Sequence, residues 1–242
     1  MTTPVWNGDS QTAMGRGRVN YGWMSEAFNY FTDAMGVWVV FMLIACVVGV
    51  ICRFLVNSVF TVPDASMAYH APLPDGFQWL SFFQDTSMAQ KIFWNIINLF
   101  TGAFFGSNAY HLALLQVKGK KVTFGDMFTG VRTFGQNFVF NLIYTAGVFA
   151  GCLGFCVGTF VVAGILLPGY ALIADGENAI DACSRSVAAM KGDVANAALF
   201  SFSLVFVLLL CLLPCGIGLF AFGPMMYLIS ALAYRDMIGF TN

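Results

Sequence analysis

Charge is what this sequence has least of. Asp, Glu, Lys and Arg make up 10% of its 242 residues, against roughly 25% in an ordinary soluble domain, so a water-soluble fold is not the expectation. A basic excess is missing too. Eleven Lys+Arg against twelve Asp+Glu leave a formal net charge of −1, which disfavours nucleic acid as a partner because nothing is left to neutralise phosphates. Histidine is almost absent, with His70 and His111 the only two, and no long apolar run contains an Asp or Glu. Ionisable groups within a bilayer mark proton pathways, so that absence argues against proton-coupled transport. It also leaves no acid–base pair for an enzyme. Gly15-Arg16-Gly17 and Gly151 to Gly158 are not followed by Lys-Ser/Thr and do not follow a strand, so nucleotide binding is rejected.

What is present is apolar and segregated. Hydrophobic residues reach 59% and aromatics 16%, with 26 Phe and 12 Met supplying adaptable apolar surface. Four charge-free runs stand out: Ala34 to Cys52, Ile92 to Val117, Thr133 to Ala174, and Val194 to Tyr234. One spanning helix needs about 20 residues, so the first two runs each give one helix and the last two are long enough for two. Gly151 to Gly158 and Pro214-Cys215-Gly216-Ile217-Gly218 supply the turns that divide them. The expectation is an all-α membrane protein of six spans, at about 36–59, 92–116, 134–153, 157–175, 194–213 and 218–235.

Nine of the eleven basic residues then fall on one side: Arg16, Arg18, Lys118, Lys120, Lys121, Arg132, Arg185, Lys191 and Arg235. The positive-inside rule makes that side cytoplasmic and puts both termini there. Arg53 and Lys91, on the other side, sit at helix ends from which a long stem snorkels. Residues 1–21 read as a cytoplasmic tail and 22–242 as one membrane domain. The polar, amphipathic start does not match a cleaved signal peptide. The expected external loop, 60–91, holds Pro63, Pro72, Pro74 and Gly76 with the aromatics Tyr69, Phe77, Trp79, Phe82 and Phe83, and is expected to pack across the outer mouth of the bundle.

A weak internal repeat groups the spans into three helical hairpins. Each hairpin follows a short amphipathic segment: Gly22 to Phe31, Phe124 to Phe134, and Ala179 to Lys191, of the kind that lies in a membrane interface. The second helix of each carries a small residue or Pro shortly before a Tyr, as Gly106 to Tyr110, Pro168-Gly169-Tyr170, and Gly223-Pro224 to Tyr227.

Several of these features also carry a family likeness. Gly22-Trp23 with its aromatic stretch, Lys118-Gly119-Lys120-Lys121-Val122-Thr123-Phe124-Gly125-Asp126-Met127-Phe128, and Leu166-Leu167-Pro168-Gly169-Tyr170 are three of them. Asp175-Gly176 with Ala182 to Ser186 and Lys191-Gly192 is a fourth, and Gly223-Pro224 to Tyr234-Arg235-Asp236 the last. Together these resemble a broad group of uncharacterised bacterial six-helix inner-membrane proteins, related to the membrane domain of some glycerophosphodiester phosphodiesterases. The resemblance runs from Gly22 through nearly the whole chain, leaving out the loop Phe60 to Gln90. It implies a fold and a location in the bacterial inner membrane, no catalytic residues, and no counterpart here of the phosphodiesterase barrel.

The candidate sites are few. Cys152 with Cys156 and Cys211 with Cys215 are each four apart at the outer surface, as a metal site, two disulfides or plain packing at a tight turn would have them. Their apolar flanks favour packing. His111 reads as a satisfied interfacial residue. Asn95 with Asn98, and Asn137 with Asn141, share helix faces and read as interhelical cross-links, with a polar path as the sharper alternative. Gly102 with Gly106, Gly147 with Gly151, and Gly154 with Gly158 have the small-xxx-small spacing of close helix packing. Lys118, Lys120, Lys121 and Trp23 are candidates for lipid head groups. The expected role is non-enzymatic: a scaffold or subunit of a larger membrane assembly, organising lipid through its interfacial ring. Its partners would be membrane lipids and other membrane proteins or further copies of itself, and no cofactor is expected. A small-solute or lipid transporter is the competing class.

Overall fold

The computed structural model describes residues 18–59, 88–153, 157–212 and 218–240. Their elements are α1 (Gly22–Asp33), α2 (Met35–Val59), α3 (Met88–Val117), a 3₁₀ segment (Phe124–Thr133), α4 (Phe134–Leu153), α5 (Val157–Ile165), α6 (Gly169–Ala174), α7 (Ala179–Met190), α8 (Val194–Leu212) and α9 (Gly218–Met237). No strand occurs among the described residues. Most of the expected external loop with His70, the turn residues Gly154, Cys156 and Cys215, and the N-terminal tail through residue 17 lie outside them.

Four helical stretches are long and apolar enough to cross a membrane: Met35–Val59, Phe124–Leu153, Val157–Ala174 and Val194–Leu212. The second joins the 3₁₀ segment to α4, and the third joins α5 to α6 through a turn. At 1.5 Å per residue each covers a hydrocarbon core of about 30 Å within a few ångströms or more. Helices α3 and α9, over the expected second and sixth spans, fall outside this set of four.

Local chemistry sets the ends. Gly119 takes φ +82° after α3 and Gly176 φ +108° after α6. There Lys120 N–H reaches the Leu115 carbonyl (3.0 Å) and Glu177 N–H the Leu172 carbonyl (3.1 Å). Both are left-handed C-caps that favour glycine. Helix α7 starts at Asn178, whose side chain accepts from the Asp181 amide at 2.9 Å, with Asp181 in the favourable first turn. The 3₁₀ segment opens on a capping box of Thr123 and Asp126. Its ten residues are long for that geometry. Pro168 cannot continue α5, and Ser230 Oγ donates to the Leu167 carbonyl at 2.6 Å in that turn. Backbone groups in lipid need such a partner.

The chain divides into two compact units. One holds the described residues 44–59 of α2 and 88–102 of α3. Within it Gln90 Nε2 donates to Asn57 Oδ1 at 2.9 Å, and the Arg53 guanidinium lies 5.5 Å from the Trp94 ring centre. Arg53 thus stacks on an aromatic face. Val50, Phe54, Leu55, Ile92 and Phe100 of this unit are exposed apolar residues.

The second unit holds the remaining described residues. Helix α4 packs on α5, α5 on α8, and α8 on α9; α1 lies on α9 and α7 on α6. Glycines decide how near these axes come. A Cβ on Gly151 would stand 2.5 Å from the carbonyl carbon of Gly158, and one on Gly164 2.3 Å from the Ala197 carbonyl oxygen. Gly147 is nearly as tight, 3.0 Å from a Val162 methyl. Nothing lies within 4 Å of the same position at Gly102. Phe149, Leu153, Phe202, Phe206 and Leu209 are exposed, which suits a lipid-facing surface.

Alanine at Gly151 or Gly164 therefore forces two backbones apart. Each variant is expected to lose about 1–3 kcal/mol, the usual cost of overpacking, read as a lower midpoint of thermal unfolding in detergent. Gly102→Ala, with open space around it, is expected to unfold at or above the parent temperature, because alanine favours helix by about 1 kcal/mol.

Candidate functional site

The three tyrosines that follow a small residue in the sequence meet in space. Tyr110 of α3 stacks flat on Tyr170 of α6, with ring centres 4.5 Å apart and planes 6° from parallel, and meets Tyr227 of α9 edge-on at 4.8 Å. Phe140 of α4 lies edge-on to Tyr170 at 4.6 Å, and Trp38 of α2 stacks on Tyr227 at 6.3 Å. Each such pair adds about 0.5–1.5 kcal/mol beyond its area. The preceding small residues explain how the rings are brought so near. Gly106 leaves room for the Asn137 amide, Gly169 for the Phe140 ring and Gly223 for the Met42 methyl, each within 2.3–3.1 Å of where a Cβ would be. A glycine admits the neighbouring helix, and the tyrosine just beyond it enters the space between helices.

Two of the amides expected within the membrane, Asn137 and Asn141, are engaged here, whereas Asn95 and Asn98 are exposed on α3. Asn137, 1% exposed, donates from Nδ2 to the Ala103 carbonyl at 3.0 Å. Asn141 Oδ1 accepts from the Tyr170 hydroxyl at 2.8 Å. Both amides join two helices. A third amide, Gln116 of α3, does the same for the first helices: its Oε1 accepts from the buried Trp38 indole at 2.9 Å and its Nε2 donates to the Tyr30 carbonyl at 2.5 Å. His111 Nδ1 faces the Ala174 carbonyl at 3.3 Å. Four buried side-chain atoms have no partner among the described residues: Asn108 Oδ1, Asn137 Oδ1, Glu177 Oε2 and Ser186 Oγ.

Charges gather at the other ends of the same helices. Arg235 makes a two-pronged contact with Glu26, at 2.5 and 3.0 Å, and a bond to Asp236 at 2.7 Å. Lys118 pairs with Asp175, which also accepts from the Tyr234 hydroxyl at 2.7 Å, and Arg185 pairs with Glu177. The fork geometry of arginine suits the first of these.

One sequence expectation is corrected here. Trp23 is fully buried and does not face lipid head groups. Its indole N–H donates to Asp236 at 2.8 Å and its ring meets Phe200 edge-on at 5.5 Å. A burial of this kind satisfies both the apolar body and the polar edge of tryptophan. Lys118 is bound to Asp175 and also sits 5.3 Å from the Phe240 ring. Lys120 and Lys121 are exposed.

For the cysteines, Cys152 and Cys211 end α4 and approach the end of α8, while Cys156 and Cys215 lie outside the described residues. Gly218 packs directly on Cys211, 2.8 Å from its Cβ to the position a glycine Cβ would take. Among the described residues no three His, Cys, Asp or Glu side chains come together as a metal site. The ion pairs and the Gln116 bridge were not foreseen from sequence. Their partners are up to 209 residues apart, and no local spacing announces them.

A double-mutant cycle on Tyr170→Phe and Asn141→Ala is expected to give a coupling of about 1 kcal/mol in unfolding free energy, the ordinary worth of one hydrogen bond. Tyr110→Ala, which empties the centre of the ring cluster, is expected to cost about 3–5 kcal/mol. Both are measured by denaturation of purified protein in one fixed detergent.

No protein-family model, curated protein or solved structure matches this chain.

Proposed function

We propose that this chain is a non-enzymatic six-span inner-membrane protein, built from three hairpins with both termini cytoplasmic, that serves as a structural or accessory subunit of a larger membrane assembly. The observation that carries this reading is the aromatic centre. Where a transporter needs a continuous polar-lined path, the rings of Trp38, Tyr227, Tyr110, Tyr170 and Phe140 touch in succession. The amides that a path would use each bond a neighbouring helix, Asn137 through Nδ2 and Asn141 through Oδ1.

Two further observations support it. Each short amphipathic segment contacts the second helix of another hairpin: α1 lies on α9, the 3₁₀ segment on α3 through Gly130 and Ser107, and α7 on α6. That cyclic exchange favours three equivalent units in one body over a pore that opens and closes. Phe124, Phe128, Val131, Ile180 and Val187 on these segments are exposed, beside Lys120, Lys121 and Arg132. This is the composition of an interfacial ring on an anionic leaflet, where each cation contributes about 1 kcal/mol. The family resemblance of the sequence agrees with the same location.

Gentle extraction and mass determination of the intact native complex tests the assembly. The expected mass exceeds that of one chain, with a co-purifying membrane protein or further copies. A lone monomer overturns the reading and favours transport, as does solute uptake into vesicles that is lost on Asn141→Leu. For the topology, a fluorescent protein fused after Asn242 is expected to mature in the cytoplasm, and an alkaline phosphatase at the same place to stay inactive.

A further inference from the structure

Beside the tyrosine cluster the helices leave a cavity of about 160 Å³. Its wall includes Tyr110, Tyr144 and Tyr170, Gly164 of α5, Ser201 of α8 and Phe222 of α9, with aliphatic side chains completing it. No Asp, Glu, Lys, Arg or His lines it. The Tyr170 hydroxyl is committed to Asn141. Tyr110, Tyr144 and Ser201 have no such bond among the described residues, so three hydroxyl-bearing residues on one small wall keep their donors available.

Size and chemistry narrow the occupant. A purely apolar cavity of about 150 Å³ stays dry and accepts a benzene ring, so this one has room for a single six-membered ring. The absent countercharge excludes an ion, whose burial without a partner is far too costly. Tyr144 stands 5.8 Å from Tyr170, ring centre to ring centre, and Tyr110 stacks on Tyr170. Aromatic faces and edges of this kind favour another flat ring. Hydroxyl donors favour a ring that carries oxygen, since a buried donor left without an acceptor is penalised.

We propose that this cavity is a binding site for a neutral single-ring ligand bearing hydroxyl or carbonyl oxygen, of the phenol or quinone type. The ring stands among the three tyrosines and its oxygen meets the hydroxyls of Ser201 and Tyr144. The site is independent of the assembly reading above, and neither falls with the other. Because quinone and phenol rings occur both as free solutes and as the heads of membrane lipids, the two sources share the same chemistry.

The test uses the full chain in detergent, with binding read by ligand-observed NMR against empty micelles of the same detergent. p-Cresol and p-xylene are the matched probes, equal in shape and differing in one hydroxyl. Saturable p-cresol binding is expected, about tenfold tighter than p-xylene. Ser201→Ala and Tyr144→Phe are each expected to weaken p-cresol about fivefold, the effect of one hydrogen bond, and to leave p-xylene unchanged, with the helical circular dichroism of the parent retained. Equal affinity for the two probes, no saturable binding above empty micelles, or unaltered p-cresol binding in both variants overturns the proposal. Tighter binding of phenyltrimethylammonium than of p-cresol also overturns it, by identifying a cation cage. 4-Decylphenol separates the sources: affinity at least equal to p-cresol supports a ring delivered by a lipid, and a loss of binding supports a free solute.

Discussion

Tyr110 cannot lie flat on Tyr170 at 4.5 Å unless the helices bearing them are allowed to close, and what allows it is the lack of a side chain at a few chosen points. Gly106, Gly169 and Gly223 admit an amide, a ring and a methyl from neighbouring helices. Lipid is as apolar as leucine, so helices in a bilayer gain little from hiding hydrophobic surface and depend on close packing and hydrogen bonds instead. The glycines supply the closeness. Asn137, Asn141 and Gln116 then become short enough bridges to work, and the hydrogen bonds they form are local consequences of that approach.

The same dependence explains why the site is aromatic. A gap opened by glycine and bordered by helices on several sides suits a flat, rigid side chain with few rotamers to lose, and tyrosine brings a hydroxyl that finds an amide. Tyr170 does so with Asn141. Trp38, Asn137 and Ala197 each stand three residues before a buried phenylalanine, at 41, 140 and 200, and bring an indole, an amide and a methyl. Their burial is alike; their chemistry is not.

Legibility followed the range of the interaction. Helical, apolar character was plain in the charge-free runs, because the signal is carried by consecutive residues. The tyrosines that form the centre were picked out by their spacing from glycine or proline, although nothing in the sequence said that 110, 170 and 227 would touch. Trp23 was misread because an aromatic beside a basic cluster has the composition of a lipid anchor; its burial depends on Asp236, at the far end of the chain. The bond of Gln116 to Trp38 and the Glu26–Arg235 pair were equally hidden. Gly102 matched a packing motif and has open space around it, since the motif states only that close approach is permitted.

The pairing of Trp23 with Asp236 and of Glu26 with Arg235 has a consequence for the order of synthesis. A chain made from its amino end presents α1 long before α9 exists, and domains are generally completed as they emerge. Here the contacts of α1 with Gln116 of α3 and Phe200 of α8 have their partners earlier, but its bonds to Arg235 and Asp236 wait until those residues have left the ribosome. These two bonds are thus among the last that the chain can form, and a chain stopped before Arg235 leaves Glu26 and the Trp23 indole without them.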